Sequence, residues 1–279
     1  MILTAIRVEL AKVFSKWRTY IGFIAMGVLI PIVVIAMGIE GSAYFDFATQ
    51  ALQQAFTFTG NLMNGYTVGY ILLGMLYVHV PLLVTLVAGD ILAGEATGGT
   101  YRLLLTRPLS RTTMVTAKFI ATLLTTNLLV LFMAALSLAL GTLLLGTGEL
   151  VVIRSQITIL AADDVLWRFV LAYGFAALAM TTVSSVAFLF SSLVENAIGP
   201  IMTTMAIIIV FTIISAIDIP MFDHVRPLFF TTHMQGWKKL FDDPIIWSDV
   251  FISGGVLLFH IIACYVGAVV ILRRKDILT

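Results

Sequence analysis

Six long runs of apolar residues, separated by short polar stretches, occupy most of the chain, at 20-39, 66-88, 117-145, 166-190, 198-219 and 250-272. Each is about 20 residues or longer, enough at ~1.5 Å per helical residue to cross a ~30 Å hydrocarbon core. The pattern predicts an all-α, polytopic membrane protein with six transmembrane helices, organised as a single transmembrane domain over 1-279. The third run is the longest, which implies tilt or projection beyond the bilayer. Pro31, Pro81 and Pro200 lie within or near the ends of runs. There they kink a helix rather than end it, because lipid offers the backbone no other hydrogen-bonding partner.

Residues 1-19 follow a different rhythm. Ile2, Ile6, Leu10, Val13, Phe14 and Trp17 recur at spacings of three and four, while Arg7, Lys12, Lys16 and Arg18 fall largely elsewhere on the helical wheel. This predicts an amphipathic interfacial helix that turns into the first span. The alternative is a simple basic flank to that span. A cleavable signal is not expected, since the first apolar run follows directly without a small-residue cleavage site.

Composition supports a membrane protein. Apolar residues make up 60% of the chain and charged residues 11%, with a mean hydropathy of +1.07, whereas soluble domains carry roughly 25% charged residues. A net charge of +1 gives no support for a nucleic-acid partner. The single cysteine, Cys264, lies in the last apolar run and reads as a packing residue. Placing both termini in the cytoplasm puts 11 of the 16 Lys and Arg residues on the inner side, leaving Arg154, Arg168, Arg226, Lys238 and Lys239 outside. That bias predicts a multi-pass protein of the cell inner (cytoplasmic) membrane with cytoplasmic N- and C-termini. The stretches at about 40-65, 146-165 and 220-249 are then the outer loops.

The segment 89-114, between the second and third runs, is the part that carries functional information. Asp90 and Glu95 follow directly on an apolar run, and a charge in lipid costs a few kcal/mol, so they belong at or beyond the inner interface. A short helix through Glu95 would meet Gly98 and Gly99, a natural stop. Thr100 can cap a second short helix bearing Tyr101, Leu103, Leu104 and Leu105, which Arg107 and Pro108 end. Ser110 is a good N-cap for a helix running through Lys118 into the third span. The product is a structured elbow with exposed leucines and both signs of charge. It is either a surface presented to a soluble partner or an interfacial helix whose leucines dip into lipid.

The order Gly94, Glu95, Gly99, Thr100, Arg102, Leu103, Leu104, Arg107, Pro108, Ser110, Arg111, with Lys118 shortly after, closely resembles the pattern of ABC-2 type transporter permeases, the membrane subunits of ATP-binding cassette exporters. The basic N-terminal helix, the six spans and the Arg273-Arg274-Lys275-Asp276 tail fit the same architecture. The motif covers about 25 residues, with Gly98 preceding Gly99 as a departure that loosens the turn.

The resemblance implies a cytoplasmic coupling segment that docks on a separate ABC ATP-binding subunit and carries its ATP-driven closure into the spans. Gly94, Glu95, Gly98, Gly99, Thr100, Arg102, Leu103, Leu104, Arg107, Pro108 and Arg111 are then the coupling residues. It also implies a second permease subunit, as a homodimer or homologous heterodimer. The inner link 191-196 is a second place for contact. No phosphate-binding Gly-Lys-Ser or Gly-Lys-Thr occurs in the chain. No catalytic role and no bound cofactor are therefore expected of it, with ATP and Mg held on the partner subunit.

Other constellations carry less. His79 and His260 lie inside spans, where ionisable groups are candidates for a substrate pathway; the simpler reading has both neutral and hydrogen-bonded. Asp223, His224, His233 and Met234 are metal-ligand types without a zinc spacing, so no metal site is assigned. Trp237, Lys238 and Lys239 read as an anchor at the head groups. Ser184, Ser185 and Cys264 lack the motifs of an intramembrane hydrolase. Ala134, Ala135, Ser137, Ala139 and Gly141 suit close helix packing. The competing functional class is an ATP-independent secondary transporter or channel, which gives the segment 89-114 no task.

Overall fold

In the computed structural model of the chain, the described residues are 2-50, 53-54, 62-97, 110-154, 156-217 and 219-274. The elements are α1 (Ile2–Ser15), α2 (Trp17–Thr49), α3 (Gly65–Ala88), α4 (Asp90–Thr97) and α5 (Arg111–Leu145), then a hairpin of β1 (Leu150–Ile153) and β2 (Ile157–Leu160). After it come α6 (Ala162–Leu193), α7 (Ile198–Ala216), α8 (Phe230–Met234) and α9 (Trp247–Arg274), with 3-10 turns at Pro220–Phe222, Arg226–Leu228 and Gln235–Phe241. Six helical stretches are long and apolar enough to cross a membrane: α2, the α3–α4 stretch, α5, α6, α7 and α9.

Each helix takes its bounds from local chemistry. The chain leaves helical geometry at Lys16, with φ −89° and ψ 131°, which separates α1 from α2. Asn64 caps α3 by accepting from the N–H groups of Tyr66 and Thr67 at 2.9 and 3.2 Å. Ser110 caps α5 by accepting from Thr113 N–H at 3.1 Å. Gly146, at φ +74°, closes α5 in the left-handed region that glycine tolerates best.

α6 is the central helix, touching α3, α5, α7 and α9. Two of its buried hydroxyls are satisfied within the helix: Ser184 and Ser185 both donate to Thr181 O, at 2.9 and 2.7 Å. These small side chains let neighbouring helices approach. Ser137 on α5 meets Tyr173 on α6, hydroxyl to hydroxyl, at 2.6 Å.

The non-membrane stretches depart from expectation in three places. α2 continues past residue 39 to Thr49, because Gly38 and Gly41 alone do not stop a helix, and no proline or left-handed residue stands between 39 and 49. Residues 150-160 form an antiparallel hairpin, with Leu150 opposite Leu160 and Val152 opposite Thr158. Its β-branched residues favour strand, and Leu150, Val152 and Leu160 are buried on the bundle. The stretch after α7, which ends at Ala216 rather than 219, folds back into the bundle.

That last stretch overturns the reading of Trp237 as a head-group anchor. Trp237 is 1% exposed, packed edge-on to Tyr70 and Phe241. Arg168 near the start of α6 holds the returning segment by donating to the carbonyls of Leu240 and Asp242, at 3.1 and 2.8 Å. Arg154, just past β1, pairs with Asp242 at 2.6 Å.

Candidate functional site: a charged ring joining α1, α4 and α5

At the end of the bundle that holds α1 and α4, seven charged side chains meet above an apolar floor that includes Val13, Leu92, Val115, Phe119 and Phe188. Glu9 and Lys12 sit one turn apart on α1. Glu95 comes from α4, and Lys118 from the second turn of α5.

The ammonium of Lys118 lies 2.6 Å from Glu9 Oε2 and 2.7 Å from Glu95 Oε1. The ammonium of Lys12 bridges the same two carboxylates, at 2.8 Å from Glu9 Oε1 and 3.0 Å from Glu95 Oε1. Two acids and two bases thus close a ring, and the Lys118 side chain is only 1% exposed. Beside the ring, Asp90 accepts from Lys16 Nζ and Arg18 Nη1, both at 2.7 Å.

A buried charge is tolerated only when paired and hydrogen-bonded. Burial alone pushes the Glu9 carboxyl up, but the Lys118 ammonium and the hydrogen bonds from Lys118 and Lys12 outweigh it. Glu9 is held below its ordinary value of 4.5. Burial likewise works against charge on Lys12, and is outweighed by the hydrogen bonds and charges of Glu9 and Glu95, which hold it above 10.5.

α4 is fastened on its other side by α6. Ser191 Oγ accepts from the N–H groups of Leu92 and Ala93, at 3.2 and 2.9 Å, and donates to Gly89 O at 2.6 Å. One hydroxyl thereby serves orphan donors at the start of a helix. At the far end of α4 the Thr97 hydroxyl reaches Glu195 O at 2.5 Å, so the link 191-196 lies against α4. Gly94 has a local role as well. A Cβ there would collide with the Asp90 carboxylate, 2.8 Å from its Cγ, so glycine lets that carboxylate fold back along the helix.

Of the expected coupling residues, Gly94, Glu95 and Arg111 are described. Gly98, Gly99, Thr100, Arg102, Leu103, Leu104, Arg107 and Pro108 lie outside the described residues. Glu95 faces into the chain rather than outward, with 12% side-chain exposure. Arg111 Nη1 lies 3.4 Å from both Leu272 O and Arg273 O at the C-terminal end of α9, where carbonyls carry partial negative charge. In return Arg273 donates to Thr112 Oγ1 at 3.0 Å.

His79 is exposed on α3 and His260 is half-buried on α9. The Nδ1 of each bonds a carbonyl of its own helix, Met75 O at 3.0 Å and Val256 O at 2.8 Å. Asp223 pairs with Arg226, and His233 meets Pro227 O. Among the described residues there is no group of three or more His, Cys, Asp or Glu side chains placed to hold a metal ion.

Glu9 and Lys12 were not expected at the site, and Ser191 was expected only as part of the link 191-196, a second place for contact. A lone acid on a basic helix and a lysine at the start of an apolar run were the signals for the ring. Nothing in the sequence pairs them.

The six long apolar helices and the charged ring at their end define an α-helical membrane protein. Residues 22–278 match the family described as Protein of unknown function (DUF2705), and the chain belongs to that family. No curated protein matches it.

Proposed function

We propose that this chain is the permease subunit of an ABC transporter, coupled to a separate ATP-binding subunit and serving export. The resemblance of 94-111 to ABC-2 permeases supports the reading. The observation that carries it is the ring of Glu9, Lys12, Glu95 and Lys118. The segment 98-109 joins α4 to α5, and each of those helices contributes one member of the ring. A partner that presses on this segment therefore pushes on α1, α4 and α5 together, and through Ser191 on α6.

In this reading Glu95 transmits force inside the chain, and Arg102, Leu103, Leu104 and Arg107 make the contact. The Lys/Arg distribution supports a cytoplasmic position for this end, at the cytoplasmic membrane. The N-terminal helix α1 lies along the inner interface, a second permease subunit completes the pathway, and ATP and Mg reside on the partner.

The test is affinity purification from the native membrane in mild detergent. Wild type brings down a nucleotide-binding subunit, Leu103→Glu loses it, and Glu95→Gln keeps it while uncoupling transport. An intact chain without any nucleotide-binding subunit overturns the proposal in favour of an ATP-independent transporter, with His79 and His260 the next residues to change.

A further inference from the structure

Glycine notches the bundle between α6 and α9. At Gly174 on α6 and Gly255 on α9 nothing stands within 4 Å of where a Cβ would be. At Gly254 the nearest atoms are Leu178 Cδ2 at 3.7 Å and Phe175 Cε2 at 3.9 Å. The notch is a cleft of about 480 Å³, with Leu240 and Trp247 at one end and Leu258 at the other. That volume is typical of a ligand pocket. None of its lining side chains is charged, so it offers water no set of polar partners. Val170 and Phe251 on its rim are 64% and 71% exposed, which means the cleft opens sideways, away from the bundle centre. On two helices that cross a bilayer, such an opening faces lipid tails.

We infer that the cleft holds one acyl chain of a membrane phospholipid with a zwitterionic phosphoethanolamine head group. Length is the first reason. Trp247 and Leu258 are eleven residues apart on α9, about 16 Å along a helix axis. That is close to one leaflet, half of a ~30 Å hydrocarbon core. The chemistry at the Trp247 end is the second. Lys239 precedes the lining residue Leu240, and its ammonium stands 3.4 Å from Asp249 Oδ2, two residues beyond Trp247. The pair is long and open, with side chains 36% and 47% exposed. A cation and an anion side by side match a phosphate and a primary amine on one head group. Trp247 adds an indole at the level where such rings settle against head groups. The two halves of the lipid thus meet the two halves of the site in the right order.

The experiment is native mass spectrometry of the purified chain titrated with phosphatidylethanolamine or phosphatidylglycerol in a stripping detergent. Wild type should retain one phosphatidylethanolamine per chain. The variant Gly174→Leu/Gly255→Leu fills the open space and should bind it at least about tenfold more weakly. The variant Lys239→Gln/Asp249→Asn should keep a lipid but lose the preference between the two head groups. A second readout needs no groove-filling variant: brominated-chain phosphatidylethanolamine should quench wild-type tryptophan fluorescence, with the quenching reduced in Trp247→Phe. Equal lipid retention by wild type and the filled variant overturns the inference. So does a filled variant that dissociates into monomers while keeping its lipid, since the cleft would then be an interface between copies.

Discussion

Lys118 on α5 and Glu9 on α1 meet 2.6 Å apart, both nearly shut off from solvent, although 109 positions separate them in sequence. Because Glu95 shares the same ammonium, this contact joins three elements through one side chain. Removing one partner of a buried ion pair costs about 3–5 kcal/mol, mostly by stranding the other charge. Lys118→Met should therefore lower the melting temperature of the purified protein sharply. Adding Glu9→Gln to it should restore part of the loss, since one stranded carboxylate is then neutral. A Lys118→Met protein that melts with wild type would mean that the ring is not closed in solution.

The pH dependence follows from the same ring. Glu9 is depressed below 4.5 in the fold, so its contribution is complete above that value and is lost as pH falls through the folded pKa. Lys12 is raised above 10.5, so its contribution is complete below that value and is lost as pH rises through the folded pKa. For these two groups stability is flat between, and melting curves from pH 3 to 11 should show it. Glu9→Gln should flatten the acid limb relative to wild type and leave the plateau lower. An acid limb unchanged by Glu9→Gln would assign it to other carboxylates.

The long elements were legible because apolar runs of about 20 residues have few alternatives to a spanning helix. The start at Ser110 was legible too, since a Ser cap acts locally, while the glycine pair Gly98-Gly99 lies outside the described residues. What stayed hidden depends on tertiary pairing. Glu95 reads as an outward carboxylate until Lys118 and Lys12 are found around it. Trp237 reads as an interfacial anchor until the chain after α7 turns back into the bundle and buries it. The hairpin at 150-160 had a local signal, the β-branched residues on either side of Arg154 and Gln156, which hydropathy over a helix-length window averages away.

Gly94 and Asp90 should behave as one unit. A methyl group at Gly94 displaces the Asp90 carboxylate from Lys16 and Arg18, and overpacking of this kind costs about 1–3 kcal/mol. Once Asp90 is itself alanine the collision is gone. Gly94→Ala should thus be destabilising in wild type and near neutral in an Asp90→Ala background, a non-additivity read from the four melting temperatures of a double-mutant cycle. Additive shifts would show that Gly94 is needed for another reason.

The glycines also divide into those that hold the bundle together and those that leave it open. At Gly65 a Cβ would lie 2.5 Å from Thr142 N and against the carbonyl of Gly141, and a Cβ at Gly141 would lie 2.9 Å from Gly65 O. These neighbours are backbone, which no rotamer change can move aside. The Gly65 N–H also donates to Gly146 O at 2.9 Å, so parting α3 from α5 loses that bond and the packing around it. Gly174 lies in a helix interior with open space beside it, where alanine is worth up to about 1 kcal/mol over glycine. Gly65→Ala should therefore lower the melting temperature and the yield of folded protein, while Gly174→Ala leaves the melting temperature unchanged or raises it. Similar melting temperatures for the two variants would mean that the close α3–α5 crossing does not form, and with it the seating of Asn64 on Glu149 O at 2.7 Å.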